Sequence, residues 1–547
     1  MAILLALTVP IIFIGLGSVA LLEPDEPYYA VPAREMLRTG SWQVPIFHGE
    51  PWFDKPILFY WMILGAYRLF GVSELSARIG SALMGVATIV LVYLFGRRGS
   101  LGERAAFAAA LILATNVEVP LMARTAVTDM TLTAALTLGM LAVARYLETG
   151  LTLWGSVAGC ALGLATLTKG PVGLLLPGVA LLAYAALARR RDLFRLKPLA
   201  AGAAFFLLVA APWYVYMILV HRDLLLKTFI GEGNLGRFMH PEHVWFPGYY
   251  LAVLAAGFLP WSGGLPAALF DGARPSRSVG EREPGRPPGA LYEICWFGSV
   301  LGVFSLSASK LPSYLLPAFP PGAMLLARYW HARLEARAAA QPARRGSRAA
   351  GASSVPAGGA LSRLGPLGGA SLGVLFAAGA VWAAVTYGSS QKQHAAGTAA
   401  IAIAVVLLLG SLLGVVAVAR RSLAVLCITQ AATAVAAILI LVCVAMPRIE
   451  PLVSARPLVA ELERRGVAGD VVGTYRQSRE FSLDYYLGRS TARVNNLPAL
   501  QRLAADSPGG IWVLRTGDIE RLANEPTLDA ALVLIGPGLS AVRITTR

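Results

Sequence analysis

Residues Glu23–Lys55 read EPDEPYYAVPAREMLRTGSWQVPIFHGEPWFDK and follow directly on the apolar run Met1–Leu22. That run is long enough to cross a bilayer, and it lacks the basic start and small-residue cleavage site of a signal peptide. We therefore read it as an uncleaved first span. Carboxylates are costly to desolvate where a helix leaves the bilayer, so Asp25-Glu26 indicates a site that faces a polar ligand. The alternative is an ordinary acidic interfacial loop, but a second polar cluster, Asp54-Lys55, favours the site.

The composition indicates a polytopic membrane protein. Of its 547 residues 56% are hydrophobic and 14% are charged, whereas soluble domains are about a quarter charged. The net charge of +16 would point to nucleic acid in a soluble protein. Here the basic residues collect in alternate loops between apolar runs, as cytoplasmic loops of membrane proteins do. We expect the bilayer to be the partner and no nucleic acid to be bound.

The apolar runs predict a polytopic α-helical membrane protein with about thirteen transmembrane helices and a small C-terminal α/β domain outside the membrane. The alternating Lys and Arg place the N-terminus inside and the first loop outside. The turn at Thr168–Pro171 could instead be re-entrant. The predicted spans are 1–22, 75–97, 103–121, 127–147, 153–169, 171–189, 200–220, 247–270, 290–308, 312–331, 368–388, 397–419 and 424–446.

The predicted domains are a transmembrane domain, 1–446, which includes the extracytoplasmic first loop 23–74, and an extracytoplasmic α/β domain, 447–547. Residues 337–367 are rich in Ala, Gly, Ser, Arg and Pro and are typical of a flexible linker. Beyond 447, helical stretches near 455–466 and 477–487 alternate with short apolar runs. These runs, predicted as strands, are 470–475, 511–515, 532–535 and 541–546.

Most of the unusual polar residues fall in loops on the predicted outer side. Asp25 and Glu26 are the candidate catalytic carboxylates, because a carboxylate can orient or deprotonate an acceptor. A group of cations with a hydroxyl suits a leaving phosphate on a lipid, since fixed donors stabilise the charge that develops. The candidate phosphate-binding residues are Lys55, Arg237, Lys310 and Tyr314, and the further site candidates are Asp54, Lys169 and Asn234.

Other interpretations stay open for these residues. Lys169 and Lys310, each taken alone, fit lysines that reach from a span end to lipid headgroups, and Tyr314 fits an interfacial aromatic belt. A secondary transporter is the alternative from another class, although it would need ionisable groups near mid-membrane. A scaffold protein is a third, and it would leave the carboxylates of the first loop without a role.

The motifs together resemble the lipid-carrier-dependent glycosyltransferases of the GT-C class, in particular the 4-amino-4-deoxy-L-arabinose lipid A transferases and their protein-mannosyltransferase-like relatives. The resemblance spans nearly the whole chain and rests on the order of its motifs. These are Asp25-Glu26-Pro-Tyr-Tyr, Trp52-Phe53-Asp54-Lys55-Pro56, Leu167-Thr168-Lys169-Gly170-Pro171, Asn234–Phe238, Leu259-Pro260-Trp261 and Ser309-Lys310-Leu311-Pro312-Ser313-Tyr314.

The resemblance implies a glycosyltransferase that uses an undecaprenyl-phosphate-linked sugar at the outer face of the bacterial cytoplasmic (inner) membrane. The acceptor it implies is lipid A, with a protein or another glycan as the alternative. Asp25 would then be the principal catalytic carboxylate, and Lys55, Arg237 and Tyr314 would contact the carrier phosphate. Asp54 and Asn234 depart from the family pattern, which tends to show Glu and His there. No cofactor is required, and a divalent metal is a possible addition.

Overall fold

The computed structural model describes residues 1–224, 227, 231, 236, 248–274, 283–339, 401–403, 405–410, 412–414, 416, 423–476, 480–536 and 538–546. Within these residues, helices that are apolar and long enough to cross a bilayer are Glu74–Arg98, Thr128–Thr149, Leu196–Asp223 and Ile428–Val453. The predicted span 368–388 and part of the span 397–419 lie outside the described residues, as does most of the predicted linker.

The predicted first loop folds into two helices joined by a small hairpin. Helix α1 (Ala2–Phe13) lies within the predicted first span, and α2 (Pro27–Thr39) begins with a proline at its first position and ends at Gly40. Pro fits there because its missing N–H has no partner in a first helical turn. Strands β1 (Ile46–Phe47) and β2 (Glu50–Pro51) pair antiparallel and lead to α3 (Leu58–Phe70).

The next seven helices build the centre of the bundle. Apolar side chains of the first six share a buried cluster that includes Leu113, Met130 and Tyr184. Helix α10 instead contributes Trp213 and Met217 to a cluster with the first loop. The helices are α4 (Glu74–Arg98), α5 (Gly102–Thr115), α6 (Glu118–Ala123), α7 (Thr128–Thr149), α8 (Thr152–Lys169), α9 (Val172–Ala188) and α10 (Leu196–Leu224).

Small residues let α8 and α10 approach closely. A Cβ at Gly155 would lie 2.5 Å from the carbonyl oxygen of Pro198, and one at Gly159 would lie 2.0 Å from the carbonyl oxygen of Gly202. Real Cβ atoms do not approach oxygen at such distances. Glycines four residues apart therefore set this contact, as they do between helices that pack by backbone approach in membranes.

Three of the predicted spans are not single α-helices over their predicted extent. The span 1–22 is helical only as α1, which ends at Phe13. The span 103–121 ends as α5 at Thr115, because the Asn116 side-chain oxygen accepts the Val119 N–H at 2.8 Å and starts the separate helix α6. The span 247–270 is broken into α11 (Tyr249–Gly257), a 3₁₀ turn (Ser262–Gly264) and α12 (Leu265–Gly272). Pro260 interrupts it, since proline lacks the N–H that a continuing helix needs.

The later helices keep the predicted order but not all the predicted bounds. Helix α13 (Ala290–Leu306) matches its prediction, whereas the span 312–331 begins as a 3₁₀ helix (Pro312–Ala318) and continues as α14 (Phe319–Ala339). Helix α15 (Leu423–Ile440) runs through a π-turn (Leu441–Ala445) into α16 (Met446–Val453). The helical region therefore extends past residue 447, where the sequence predicts the domain boundary.

Residues 456–546, here called the C-terminal unit, form a five-stranded mixed sheet with helices. The strand order is β4-β3-β5-β7-β6, with β3 parallel to β4 and β5, and β7 antiparallel to β5 and β6. Alternate residues of β5, such as Trp512 and Val513, belong to two buried clusters. The elements are α17 (Arg456–Arg464), β3 (Val471–Tyr475), α18 (Glu480–Leu487), β4 (Ala492–Val494), α19 (Leu497–Asp506), β5 (Gly510–Arg515), α20 (Ile519–Ala523), β6 (Leu528–Ile535) and β7 (Leu539–Thr546).

Candidate active site

Asp25 lies at the turn that connects the first apolar segment to α2. Its side chain is exposed, and α2 begins two residues later at Pro27. The main chain is fixed around it, since Tyr28 N–H donates to the Pro24 carbonyl at 3.2 Å and Ala30 N–H donates to the Glu26 carbonyl at 3.0 Å. This geometry presents the Asp25 carboxylate at a defined place on the surface of the first loop.

Glu26 points away from that surface and into the protein. Its side chain is fully buried and binds the Arg78 guanidinium through both oxygens, with Nε–Oε1 at 2.7 Å and Nη2–Oε2 at 2.6 Å. It also accepts the backbone N–H groups of Leu22 and Ala126 at 2.9 and 2.8 Å. Four hydrogen bonds to one carboxylate leave it little capacity for a substrate. These contacts favour a structural role for Glu26, and its catalytic role stays a prediction.

Asp54 and Lys55 form an ion pair just before α3. The Lys55 Nζ lies 2.8 Å from Asp54 Oδ2 and 3.1 Å from the Asp54 carbonyl, and each side chain is 11% exposed. The Asp54 carboxylate fixes the position of the Lys55 ammonium group when no ligand is bound. The carboxylate also offsets the cost of bringing this charge out of water.

A second ion pair joins Lys169, at the end of α8, to Asp129, in the first turn of α7. The Lys169 Nζ donates to Asp129 Oδ1 at 2.6 Å, and both side chains are largely buried. The same ammonium group stands 4.7 Å from the ring centre of Tyr314. Lys169 thus contacts one anion and one aromatic face together. Lipid-facing snorkelling, the alternative that the sequence leaves open for Lys169, does not describe this geometry.

Tyr29 connects the two ion pairs. Burial raises the pKa of its hydroxyl well above the ordinary value, and the neighbouring carboxylates of Asp54 and Asp129 raise that pKa further. Both carboxylates therefore lie close to one side chain of α2, four residues after Asp25. The Asp54–Lys55 and Asp129–Lys169 pairs therefore both act on a residue of α2, the helix that begins two residues after Asp25.

The remaining predicted site residues divide into two groups. Lys310 is half-buried, donates to the Ser307 carbonyl at 2.5 Å, and stands four residues before Tyr314 on the segment that leads into α14. The structure brings Tyr314 to Lys169, whereas Lys310 bonds to a carbonyl of its own segment. Asn234 and Arg237 lie outside the described residues, so their roles stay predictions.

No metal site forms among the side chains that the structure describes: no three His, Cys, Asp or Glu residues gather there. Asp54 could supply one ligand to a divalent ion. The possible metal of the sequence analysis stays a prediction.

Asp129 and Arg78 are the residues that the sequence analysis missed. Asp129 carried a signal, since it is an acidic residue at the start of the predicted span 127–147. Arg78 fell inside the predicted span 75–97 and could have been found on the same ground. Their partners, however, are 40 and 52 residues away in the chain.

The C-terminal unit packs on the first loop beside this site. Asp484, which is fully buried, pairs with His48 Nε2 at 2.7 Å, and the Phe481 ring stacks on Phe47 with centres 5.1 Å apart. Arg34 donates to the main-chain carbonyls of Asp484 and Tyr485 at 2.9 and 2.5 Å. Helix α18 thus holds the first loop. Two residues that follow it add to the contact, since the Ser490 hydroxyl donates to Glu35 at 3.0 Å and the Arg493 guanidinium lies 4.7 Å from the Phe47 ring centre.

The comparisons with known proteins agree with this architecture. The family model described as dolichyl-phosphate-mannose-protein mannosyltransferase matches residues 54–216. The crystal structure of ArnT from Cupriavidus metallidurans bound to undecaprenyl phosphate superposes with a TM-score of 0.80 and 23% identity, over 99% of this chain and 97% of that one. The chain has the GT-C fold. An oligosaccharyltransferase from Archaeoglobus fulgidus in the apo form is more distant, with a TM-score of 0.52, 13% identity, and coverage of 90% and 63%.

Curated relatives show which proteins of this fold have a similar sequence. A protein from Edwardsiella ictaluri named undecaprenyl phosphate-alpha-4-amino-4-deoxy-L-arabinose arabinosyl transferase is 35% identical over 323 residues, which is 56% of this chain and 55% of the relative. An uncharacterized protein from Aquifex aeolicus is 33% identical over 58% of this chain and 60% of its own length. The chain thus aligns with little more than half the length of these relatives. Its sequence is similar to the aminoarabinose transferases.

Proposed function

We propose that this GT-C protein transfers a sugar from undecaprenyl phosphate to an acceptor at the outer face of the cytoplasmic membrane, with aminoarabinose as the sugar and lipid A as the acceptor. The observation that carries the proposal is the position of Lys169, which binds Asp129 at 2.6 Å and stands 4.7 Å from the Tyr314 ring. The names of the relatives support the sugar and the carrier.

The proposed reaction is a displacement at the anomeric carbon. An acceptor oxygen forms the new bond to that carbon, the bond to the carrier phosphate breaks, and its electron pair goes to the phosphate oxygen. Lys55 and Lys169 stabilise the charge that develops there. Their ion pairs with Asp54 and Asp129 keep both ammonium groups in place before the donor arrives, so little reorganisation is needed at the moment of transfer.

Asp25 faces the acceptor side of this reaction in our proposal. If the acceptor is a lipid A phosphate, that oxygen is already ionised near neutral pH, and Asp25 orients the acceptor or the sugar. If the acceptor is a hydroxyl, Asp25 accepts its proton. Holding a lipid-linked donor beside its acceptor supplies much of the acceleration in either case.

A protein or glycan hydroxyl is the second candidate acceptor. The match of residues 54–216 to a protein mannosyltransferase family favours it. The transferase class and the carrier remain the same, and only the acceptor changes.

The test is an assay of the purified full chain in liposomes that contain undecaprenyl-phosphate-linked aminoarabinose and lipid A. Mass spectrometry of lipid A should show the sugar added by the wild type and not by Asp25→Asn. Asp470→Asn, an exposed carboxylate in the C-terminal unit, is the matched control and should be fully active. Donor consumption with unmodified lipid A would move the acceptor to a protein or glycan. An inert wild type with intact donor would contradict the proposal.

A further inference from the structure

The segment just before Asp25 is held by the far end of the chain. The Leu21 N–H donates to the Tyr486 hydroxyl at 2.9 Å, and the Glu23 N–H donates to the Val453 carbonyl at 3.2 Å. The Ala20 N–H lies 3.3 Å from a Glu450 carboxylate oxygen. These contacts join residues more than 400 positions apart, so they couple the first loop to α16 and α18.

Glu23 makes the most direct of these connections. Its two carboxylate oxygens accept the backbone N–H groups of Phe481 at 3.2 Å and Ser482 at 2.5 Å. These N–H groups belong to the first turn of α18, where a helix has no internal acceptor for them. A negative charge is favourable at this end of the helix dipole. Glu23 therefore caps the N-terminus of α18, although it lies more than 400 residues away in the sequence.

Asp25 is fixed from its other side as well. Glu26, the next residue, binds Arg78 through both oxygens and is fully buried. Asp25 is thus an exposed residue between two anchored carboxylates, with Pro24 exposed beside it. One anchor is in α4 of the bundle and the other is in α18 of the C-terminal unit.

We propose that Glu23 is a positioning residue that fixes the place of Asp25 by binding α18, so that the C-terminal unit takes part in turnover. This inference rests on the proposed function, because it assigns Asp25 a part in the transfer. Glu23 acts on the sugar-transfer step and not on carrier binding, since the lysines that bind the phosphate are held by other carboxylates, Asp54 and Asp129.

The test compares Glu23→Ala and Glu23→Gln in the full chain with a matched control, Asn496→Ala. Asn496 caps α19 in the same unit through a 2.9 Å hydrogen bond from Ala499 N–H, and α19 takes no part in the contacts of Leu21 and Glu23 with α16 and α18. We expect Glu23→Ala to lower kcat by about tenfold to a hundredfold with an unchanged KM for the lipid-linked donor, because a small misplacement of a reacting group costs this much. Glu23→Gln keeps an acceptor oxygen and should fall between, and Asn496→Ala should keep the wild-type kcat.

Asp25→Asn in the same assay separates the two proposals. If Asp25→Asn is inactive while a folded Glu23→Ala keeps the wild-type kcat, the positioning role is wrong and the proposed function stands. If Asp25→Asn is fully active, the role of Asp25 in the proposed function fails. If Glu23→Ala does not fold, Glu23→Gln decides, since a kcat equal to that of the wild type, or a loss that appears only in the donor KM, would overturn the inference.

Discussion

The guanidinium of Arg78 binds both carboxylate oxygens of Glu26, and neither side chain is more than 4% exposed. Arg78 also donates to the main-chain carbonyls of Leu16, Val19 and Ala20 at 2.7–2.8 Å. The pair therefore ties α4 to the turn that carries Asp25. A charge in such a place is tolerated only because its partner and its hydrogen bonds are complete.

Removal of either partner should destabilise the protein strongly. Arg78→Ala or Glu26→Ala leaves the other charge buried without its partner, at a cost of about 3–5 kcal/mol. The melting temperature of the purified protein in detergent measures this loss. The control is Arg465→Ala, because the Arg465–Glu461 pair is 47% and 22% exposed and is screened by water, so its loss should shift the melting temperature little.

Glutamine variants of the same two residues separate a structural role of Glu26 from a catalytic role. If Glu26 acts only through Arg78, Glu26→Gln and Arg78→Gln should lower the turnover of the folded protein to a similar degree. A much larger loss of turnover in Glu26→Gln alone would restore a catalytic role.

Lys169 should matter for donor binding. Lys169→Met removes a cation that we place at the carrier phosphate, and a hydrogen bond to a charged group contributes about 1.5–3 kcal/mol. The KM for the lipid-linked donor should therefore rise about tenfold to a hundredfold, measured on the folded fraction at saturating acceptor. Lys197→Met, at an exposed position near the start of α10, is the matched control. An unchanged donor KM in Lys169→Met would remove Lys169 from the phosphate site.

Local patterns in the sequence predicted the helices and strands better than they predicted which residues contact each other. The four predicted strands of the C-terminal unit are confirmed as β3, β5, β6 and β7, because each is a short run of β-branched and aliphatic residues. Strand β4 was missed, since its three residues Ala492–Val494 carry an arginine in the middle. The predicted helical stretch 477–487 is confirmed from Glu480 onwards by α18.

At the candidate site, too, the sequence predicted individual residues but not their contacts. Asp25, Asp54, Lys55 and Lys169 were all predicted as site residues, because charged groups at the ends of apolar runs are conspicuous. The contact of Glu26 with Arg78 was not predicted, since 52 residues separate them and both look like ordinary members of their own segments. Which carboxylate faces a ligand and which is buried depends on packing, and one chain's sequence does not carry that information locally.

Close packing between α8 and α10 should make Gly159 intolerant of a side chain. Gly159→Val would drive its Cβ to 2.0 Å from the Gly202 carbonyl oxygen, so the helices must separate. We expect a loss of about 1–3 kcal/mol or more and a reduced yield of folded protein. Gly178→Val is the control, because no atom lies within 4 Å of a Cβ there. Equal melting temperatures for the two variants would contradict the close approach.

Asp484 should hold the C-terminal unit on the first loop. Its carboxylate accepts the Thr491 N–H at 2.9 Å and the Thr491 hydroxyl at 2.7 Å, and it pairs with His48 at 2.7 Å. Asp484→Ala leaves these donors without an acceptor in a buried place, at about 1–3 kcal/mol for each unsatisfied group. We therefore expect faster trypsin cleavage at Arg489, which follows α18.

The matched control is Asp470→Ala in the same unit. Asp470 pairs with Arg543 at 3.1 Å, but the two side chains are 48% and 41% exposed, so the pair contributes about 0–1 kcal/mol. Trypsin should therefore cut Asp470→Ala at the wild-type rate. Equal cleavage rates for Asp484→Ala and wild type would show that the aromatic stacking of Phe481 on Phe47 and the Arg34 hydrogen bonds suffice to hold α18 without this carboxylate.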